Sequence, residues 1–229
     1  MDSKYCYPGT DTLINLFDIR DPDKLHEVER DITITRTVEL AENPVKDRYD
    51  LRHLQQIHKR LFGDIYAWAG QIRDVRIAKG NMFCYPEYIR PMADEIFTRL
   101  ADENHLKGLN KAEFVERIAF YMGEVNALHP FREGNGRTQR NFFTQLAQDA
   151  GYQLHFELMD KEQLLKADIA GMSGNDEKLK TLLGRHIEQV RKPNIKERLA
   201  AAKVEADRLN AERAAARDIT APNKYDRER

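Results

Sequence analysis

Apolar residues recur at intervals of three and four along most of the chain, and that rhythm predicts a helical protein. Clear stripes are Leu51, Leu54, Ile57, Leu61 and Phe62, then Ile89, Met92, Ile96, Phe97 and Leu100, then Phe114, Ile118, Tyr121, Val125 and Leu128. Side chains so spaced share one face of a helix, which must be buried against another such face. A further stripe, Phe142, Phe143, Leu146, Ala147 and Ala150, is closed by Gly151, a residue that ends helices because it accepts a left-handed backbone without steric cost.

Punctuation between the stripes sets the other elements. Asp21-Pro22, a cap followed by a first-turn proline, opens a helix to about Ala41. Its apolar residues Leu25, Val28, Ile32 and Val38 have mixed spacing, and Ile32-Thr33-Ile34-Thr35 alternates like a strand. Before it, a loose arm at Tyr5 to Gly9 leads into a short helical segment with Leu13, Leu16, Phe17 and Ile19. Asp50 precedes the first stripe, and Asn110 with Glu113 forms a capping box. Asp160 caps a helix through about Ile169, and Asn175 or Asp176 starts one carrying Leu179, Leu182, Leu183, Ile187 and Val190. One stretch breaks the helical period: Ile72 to Ile77 alternates, Lys79-Gly80-Asn81 makes a turn, and Met82 to Tyr85 continues to Pro86. A β-hairpin is predicted there, so the fold class is mainly α with a small hairpin. Trp68 reads as core, and His53 and His58, five apart, fall on different helix faces and do not make a metal pair.

Lys192-Pro193-Asn194 interrupts the pattern and marks a domain boundary, giving a domain over 1–190 and an extension over 191–229. Residues 195 to 217 are rich in Ala, Glu, Lys and Arg, with Leu199, Ala202, Ala206 and Leu209 at helical spacing, and read as an exposed helix or weak coiled-coil seam. The tail from Asp218 reads as disordered.

Composition narrows the class. The 37 Lys+Arg balance 38 Asp+Glu, which gives no electrostatic reason to expect nucleic acid or a membrane surface. Cys6 and Cys84 lack disulfide-framework or zinc spacing, which suits a reducing cytoplasm. No apolar run approaches the roughly 20 residues of a membrane span, and the acidic start has no signal-peptide pattern.

Chemistry concentrates in His129-Pro130-Phe131-Arg132-Glu133-Gly134-Asn135-Gly136-Arg137-Thr138-Gln139-Arg140. Pro130 turns His129 out of helical geometry and leaves an imidazole at the mouth of the preceding helix. Gly134 and Gly136 admit positive φ and remove side chains that would keep an anion from the backbone, so the loop reads as a nest feeding a helix N-terminus. Arg137 and Arg140, three apart, share a face from which both reach polyphosphate oxygens. Arginine at that helix end opposes the dipole, which points to a bound anion as its partner. Glu133, the one carboxylate among these donors, suits Mg²⁺ bridging two phosphates. His129 is then placed to take a proton from an attacking hydroxyl.

The stretch matches the Fic family signature, His-Pro-Phe-x-(Asp/Glu)-Gly-Asn-Gly-Arg-x-x-Arg, at every specified position. At about one residue in twenty per site, a chance match is negligible. His58, Leu61-Phe62 and Trp68-Ala69-Gly70 also resemble the segment upstream of that motif in bacterial members, and the resemblance extends from about Leu54 to Gly151. It implies a Fic-type helical bundle with a hairpin flap, and transfer of AMP from Mg²⁺-bound ATP to a Ser, Thr or Tyr hydroxyl of a target protein, releasing pyrophosphate. Carried over, His129 is the general base, Glu133 the Mg²⁺ ligand and Gly134-Asn135-Gly136 the phosphate nest. Arg140 holds the γ-phosphate and Arg137 supports it. Lys79, Gly80, Asn81, Met82 and Phe83 form the flap that docks the target by main-chain pairing. Gly108 and Leu109 are candidates for the base pocket.

Many family members are restrained by a helix bearing Ser/Thr-x-x-x-Glu-Gly/Asn. The Glu-Gly or Glu-Asn pairs Glu42-Asn43, Glu103-Asn104 and Glu133-Gly134 are preceded four residues earlier by Val38, Arg99 and His129, none a Ser or Thr. Restraint is therefore expected from a small separate antitoxin, as in toxin–antitoxin pairs, with delivery into another cell compatible with this reading. UMP transfer, kinase chemistry, removal of AMP and a non-enzymatic interaction module stay open; the last has no use for His129.

Overall fold

The computed structural model describes residues 4–79, 81–190, 199–200 and 203–209. Within Met1–Val190, one compact unit, the elements run α1 (Pro22–Glu42), α2 (Leu51–Phe62), β1 (Ala78–Lys79), β2 (Asn81–Met82), α3 (Ile89–Asp102), α4 (Lys111–Leu128), α5 (Asn135–Ala150), β3 (Tyr152–Leu154), α6 (Lys161–Gly171), α7 (Glu177–His186) and β4 (Ile187–Gln189). Caps fall where chemistry puts them. Asp21, Asp50 and Asp160 accept from the backbone N–H three residues on, and Asn110 and Glu113 complete a capping box. Gly151 ends α5 at φ 91°.

The core is where α2, α4 and α5 meet: Leu54, Ile57, Leu61, Phe62, Phe114, Ile118, Tyr121, Phe142, Phe143 and Leu146 have no exposed surface. Around it, α1 lies on α2, α3 on α4, and α6 and α7 on α4. Because α4 and α5 are joined by only the six residues 129–134 and are buried along their length, the connecting loop is held by rigid elements. No helix among the described residues is long and apolar enough to cross a membrane. In the unit Arg191–Arg229, residues 203–209 are helical. Most of the 195–217 segment and the tail from Asp218 lie outside the described residues.

Several local expectations need correction. The segment with Leu13, Leu16, Phe17 and Ile19 is not helical. Asn15 substitutes side-chain bonds for helical ones, its Oδ1 accepting from Phe17 N and Ile19 N at 3.1 Å and its Nδ2 donating to Ile19 O at 2.7 Å. The last helix stops at His186, and Ile187, Glu188 and Gln189 pair antiparallel with Leu154, Gln153 and Tyr152. Ile187 is buried in that ribbon rather than on a helix face. The hairpin is shorter than the alternation suggests, with Ala78 opposite Met82 and Lys79 opposite Asn81. Trp68 is only half-buried, stacked on Tyr66 with ring centres 4.4 Å apart. Finally, α1 buries Leu25, Glu29, Thr33 and Leu40, while Val38 and Ile34 face outward.

Candidate active site

Residues 129–140 make the corner between the C-terminus of α4 and the N-terminus of α5. His129 is the C-cap of α4, left-handed at φ 44° and ψ 63°. Its Nδ1 lies 3.2 Å from Asn126 O. A carbonyl only accepts, so Nδ1 carries the hydrogen and Nε2 is the basic nitrogen of the neutral ring. The Phe83 ring stacks on the imidazole, centres 3.7 Å apart and planes 15° from parallel.

The loop is closed from within by Asn135. Its buried amide takes the N–H of Phe131 at 2.9 Å and donates to Phe131 O at 2.7 Å, so the side chain is committed and only its backbone faces outward. Phe131 is buried and stacks on His58, ring centres 4.0 Å apart. Gly134, the N-cap of α5, sits at φ 80°, and a Cβ there would come within 2.4 Å of the Phe62 ring. Only glycine fits on both counts. Gly136, by contrast, has helical geometry; what it contributes is the missing side chain at the first turn. No side chain caps α5, so the leading N–H groups of that helix and the positive end of its dipole face the corner, as an anion site requires.

His58 supports the loop from below. Gly70 N donates to its Nδ1 at 2.8 Å, and Nε2 then donates to Glu133 O at 2.9 Å. Burial lowers its pKa to about 4, with the Arg137 charge adding to the effect and the bond to Glu133 O opposing it. A protonated ring would face the Gly70 N–H with a second hydrogen. The other histidine of α2 is satisfied in the same way: His53 is buried too, bonded to Gln145 at 3.1 Å.

The two motif arginines do not share a task. Arg137 turns to α1, where Nη2 is 2.5 Å from the buried Glu29 carboxylate and 3.5 Å from Glu133, with Nη1 3.4 Å from Thr33 Oγ1. Tyr66 OH donates to the other Glu29 oxygen, and the guanidinium lies over the Phe62 ring at 4.8 Å. The expected anionic partner of Arg137 is thus a protein carboxylate. Arg140 makes no hydrogen bond or ion pair to any described residue. It lines a groove between α1 and α5 and a second cavity with Asp168 of α6. Burial lowers the Arg140 pKa, against the pull of Asp168. Burial raises that of Asp168 to about 6 despite the guanidinium.

Glu133 is exposed, and no three His, Cys, Asp or Glu side chains cluster as a metal site among the described residues. One carboxylate beside an anion nest still fits Mg²⁺, which binds through one or two carboxylates while phosphates and water fill its other positions. Of the flap residues, Met82 is exposed and Phe83 turns inward, the backbones of Lys79 and Asn81 pair in the hairpin register, and Gly80 lies outside the described residues. Gly108 and Leu109 do not join the site. They precede the far end of α4, which separates them from His129 by 18 residues, about 27 Å of helix. Leu109 O is instead taken by Tyr152 OH at 2.7 Å.

Two contributors were missed in the sequence. Glu29 could have been found from the polar members of the Leu25, Glu29, Thr33, Leu40 stripe, since a carboxylate at a buried helical position needs a cationic partner. Arg73, whose guanidinium donates to four backbone carbonyls, leaves no such signal, because carbonyls are common to every residue.

The Fic/DOC family profile matches residues 48–147. The chain is 42% identical over 184 residues to a Bartonella schoenbuchensis protein named protein adenylyltransferase VbhT, matching 80% of this chain but spanning only 38% of that protein. It is 41% identical over 172 residues to an Escherichia coli protein named probable protein adenylyltransferase Fic, covering 75% of this chain and 85% of that one. Among solved structures, a BepC effector of Bartonella tribocorum with bound AMPPNP superposes with a TM-score of 0.76 at 30% identity, over 82% of this chain and 97% of that one. A motif loop built on buried α4 and α5, together with 41% identity over 85% of the Escherichia coli relative, leaves one assignment: the chain belongs to the Fic/DOC family.

Proposed function

We propose that the protein is an adenylyltransferase that moves AMP from ATP to a hydroxyl side chain of another protein. The observation that carries this reading is the pairing of an uncapped helix N-terminus behind Gly134 with an imidazole whose Nδ1 is committed to Asn126 O. The backbone N–H groups of residues 134–136 take the α- and β-phosphates, and Arg140 takes the γ-phosphate. Glu133 would hold Mg²⁺, which neutralises phosphate charge when bound. Holding both ends of the triphosphate leaves the α-phosphorus open to in-line attack. The target hydroxyl gives its proton to His129 Nε2 while its oxygen bonds to the α-phosphorus. The bond from that phosphorus to the β-phosphate bridging oxygen breaks, and pyrophosphate leaves. The flap edge registers the target chain beside His129.

The test is incubation with bacterial lysate, Mg²⁺ and α-labelled ATP, beside γ-labelled ATP and His129→Ala. Label from α alone, reduced about 10²–10⁴-fold in the variant, is expected for a general base. Label from γ alone would make the protein a kinase and overturn the reading.

A separate small antitoxin protein is the proposed restraint. Supporting it are the absence of the Ser/Thr-x-x-x-Glu-Gly/Asn pattern from the sequence and the α1–α5 groove, where Ile34 and Val38 are exposed above Arg140. Expression of the chain alone should arrest growth, and purification of an active but harmless lone chain would refute the restraint.

A further inference from the structure

We propose that Arg73 is a positioning residue that sets the backbone of His129 and locks the flap onto its imidazole. The inference rests on the reading of His129 as the base. Arg73 is 2% exposed, and its guanidinium donates only to backbone carbonyls of three segments. Nε reaches His129 O at 2.7 Å, and Nη2 reaches Leu128 O at 3.4 Å. Nη1 reaches Val75 O at 2.7 Å, and Nη2 also reaches Cys84 O at 2.6 Å. One side chain thus spans the end of α4 and both legs of the flap.

The main chain repeats the connection. Arg73 N donates to Pro130 O at 2.9 Å, and Cys84 N donates to Ala127 O at 3.0 Å. The last carbonyls of a helix have no partners within it and carry its negative dipole end, so a cation there is favourably placed. Burying a guanidinium without a carboxylate is nevertheless costly, and packing alone would be served better by an apolar residue. What the guanidinium supplies is geometry, a planar fork that fixes several acceptors relative to one another.

Two consequences meet at the imidazole. His129 adopts a left-handed conformation rare for a residue with a side chain, and such a conformation persists only where its surroundings over-determine it. The grip of Arg73 on His129 O is one such determinant. Phe83 immediately precedes Cys84, whose carbonyl Arg73 also holds, and its ring covers the face of His129. Arg73 therefore holds the catalytic ring and the flap residue stacked on it in one register. Lysine keeps the charge but cannot span the four carbonyls.

The deciding experiment compares wild type, Arg73→Lys and Phe83→Leu by two readouts. One is AMP transfer to lysate protein with ATP varied. The other is the Cε1–H proton resonance of His129, assigned by its loss in His129→Ala. Stacking on Phe83 shields that proton, so in Arg73→Lys its resonance should move downfield while apparent kcat falls about 10²-fold, the cost of a small misplacement of a catalytic group. The KM for ATP should stay within about threefold, since the phosphate nest lies elsewhere on the loop. Phe83→Leu should lose the shielding and part of the rate with Arg73 in place, and it carries the test if Arg73→Lys does not fold. An unmoved resonance overturns the proposal whatever the rate does. So does an unchanged kcat, or a rise in KM as large as the fall in kcat, which would mean general loosening. If wild type transfers no label, the adenylyltransferase reading fails by itself, and the resonance alone decides for or against Arg73.

Discussion

The first two turns of α5 face two ways, and their two sides are built differently. Toward α1, Arg137 is held by Glu29, Glu133 and Thr33 and lies over Phe62. Toward α6, Arg140 has no hydrogen-bonding partner among the described residues and faces Asp168 across a cavity. Two identical side chains three positions apart thus differ in what they have left to give. A guanidinium already neutralised by carboxylates is a strut between α1 and the motif loop. One that is half-buried and hydrogen-bonded to no described carboxylate retains its capacity for an anion.

The largest effect expected from this contrast is on the strut. Glu29→Ala would leave Arg137 and Tyr66 OH without their shared buried acceptor and should destabilise the fold by about 3–5 kcal/mol, measured by urea unfolding. A loss under about 1 kcal/mol would show that Arg137 is not anchored there. Arg140→Ala should do the reverse: unfolding changes little, and AMP transfer falls about 10²–10³-fold, as for loss of one donor to developing charge. If Arg140→Ala destabilises as much as Glu29→Ala, the two sides are not functionally distinct.

The sequence revealed the motif more readily than the side that supports it. Gly134, Arg140 and His129 belong to a contiguous motif whose residue types carry their chemistry with them. Capping is equally local, which is why the Asn110–Glu113 box and the Gly151 terminus were legible. Glu29 acts 108 positions from Arg137, on a helix whose exposed Ile34 and Val38 disguise its buried polar face. Arg73 sits in an alternating run that imitates a strand, and its acceptors are carbonyls with no sequence identity. Asn15 and β4 show the same limit, since local helical spacing lost to a side-chain network in one and to strand pairing in the other.

Acid should weaken the strut side selectively. Burial lowers the His58 pKa to about 4, against an ordinary 6.5, so the unfolded chain binds this proton first as pH falls. The contribution of the neutral ring is complete above about pH 6.5 and is lost as pH drops toward 4. By pH 5 the loss should amount to about 2 kcal/mol, read as the part of the pH-dependent loss of stability that His58→Gln abolishes. An unaltered pH profile in the variant would mean that His58 does not titrate against the fold.

The smallest effect belongs to the open side and concerns what Asp168 does to Arg140. Asp168 has its pKa raised to about 6 by burial, so at pH 8 its carboxylate is charged and competes with a phosphate for the same guanidinium. At pH 5 it is mostly protonated and the competition lapses. Asp168→Asn should therefore bind ATP about twofold to fivefold more tightly than wild type at pH 8, the range expected for one partly screened charge interaction. At pH 5 the two should be nearly equal. Comparing the proteins at each pH cancels the titration of ATP itself, because both meet the same nucleotide. A variant that binds ATP more weakly at pH 8 would mean that Asp168 orients Arg140 for the phosphate rather than competing with it, and the side described as open would then be a second strut.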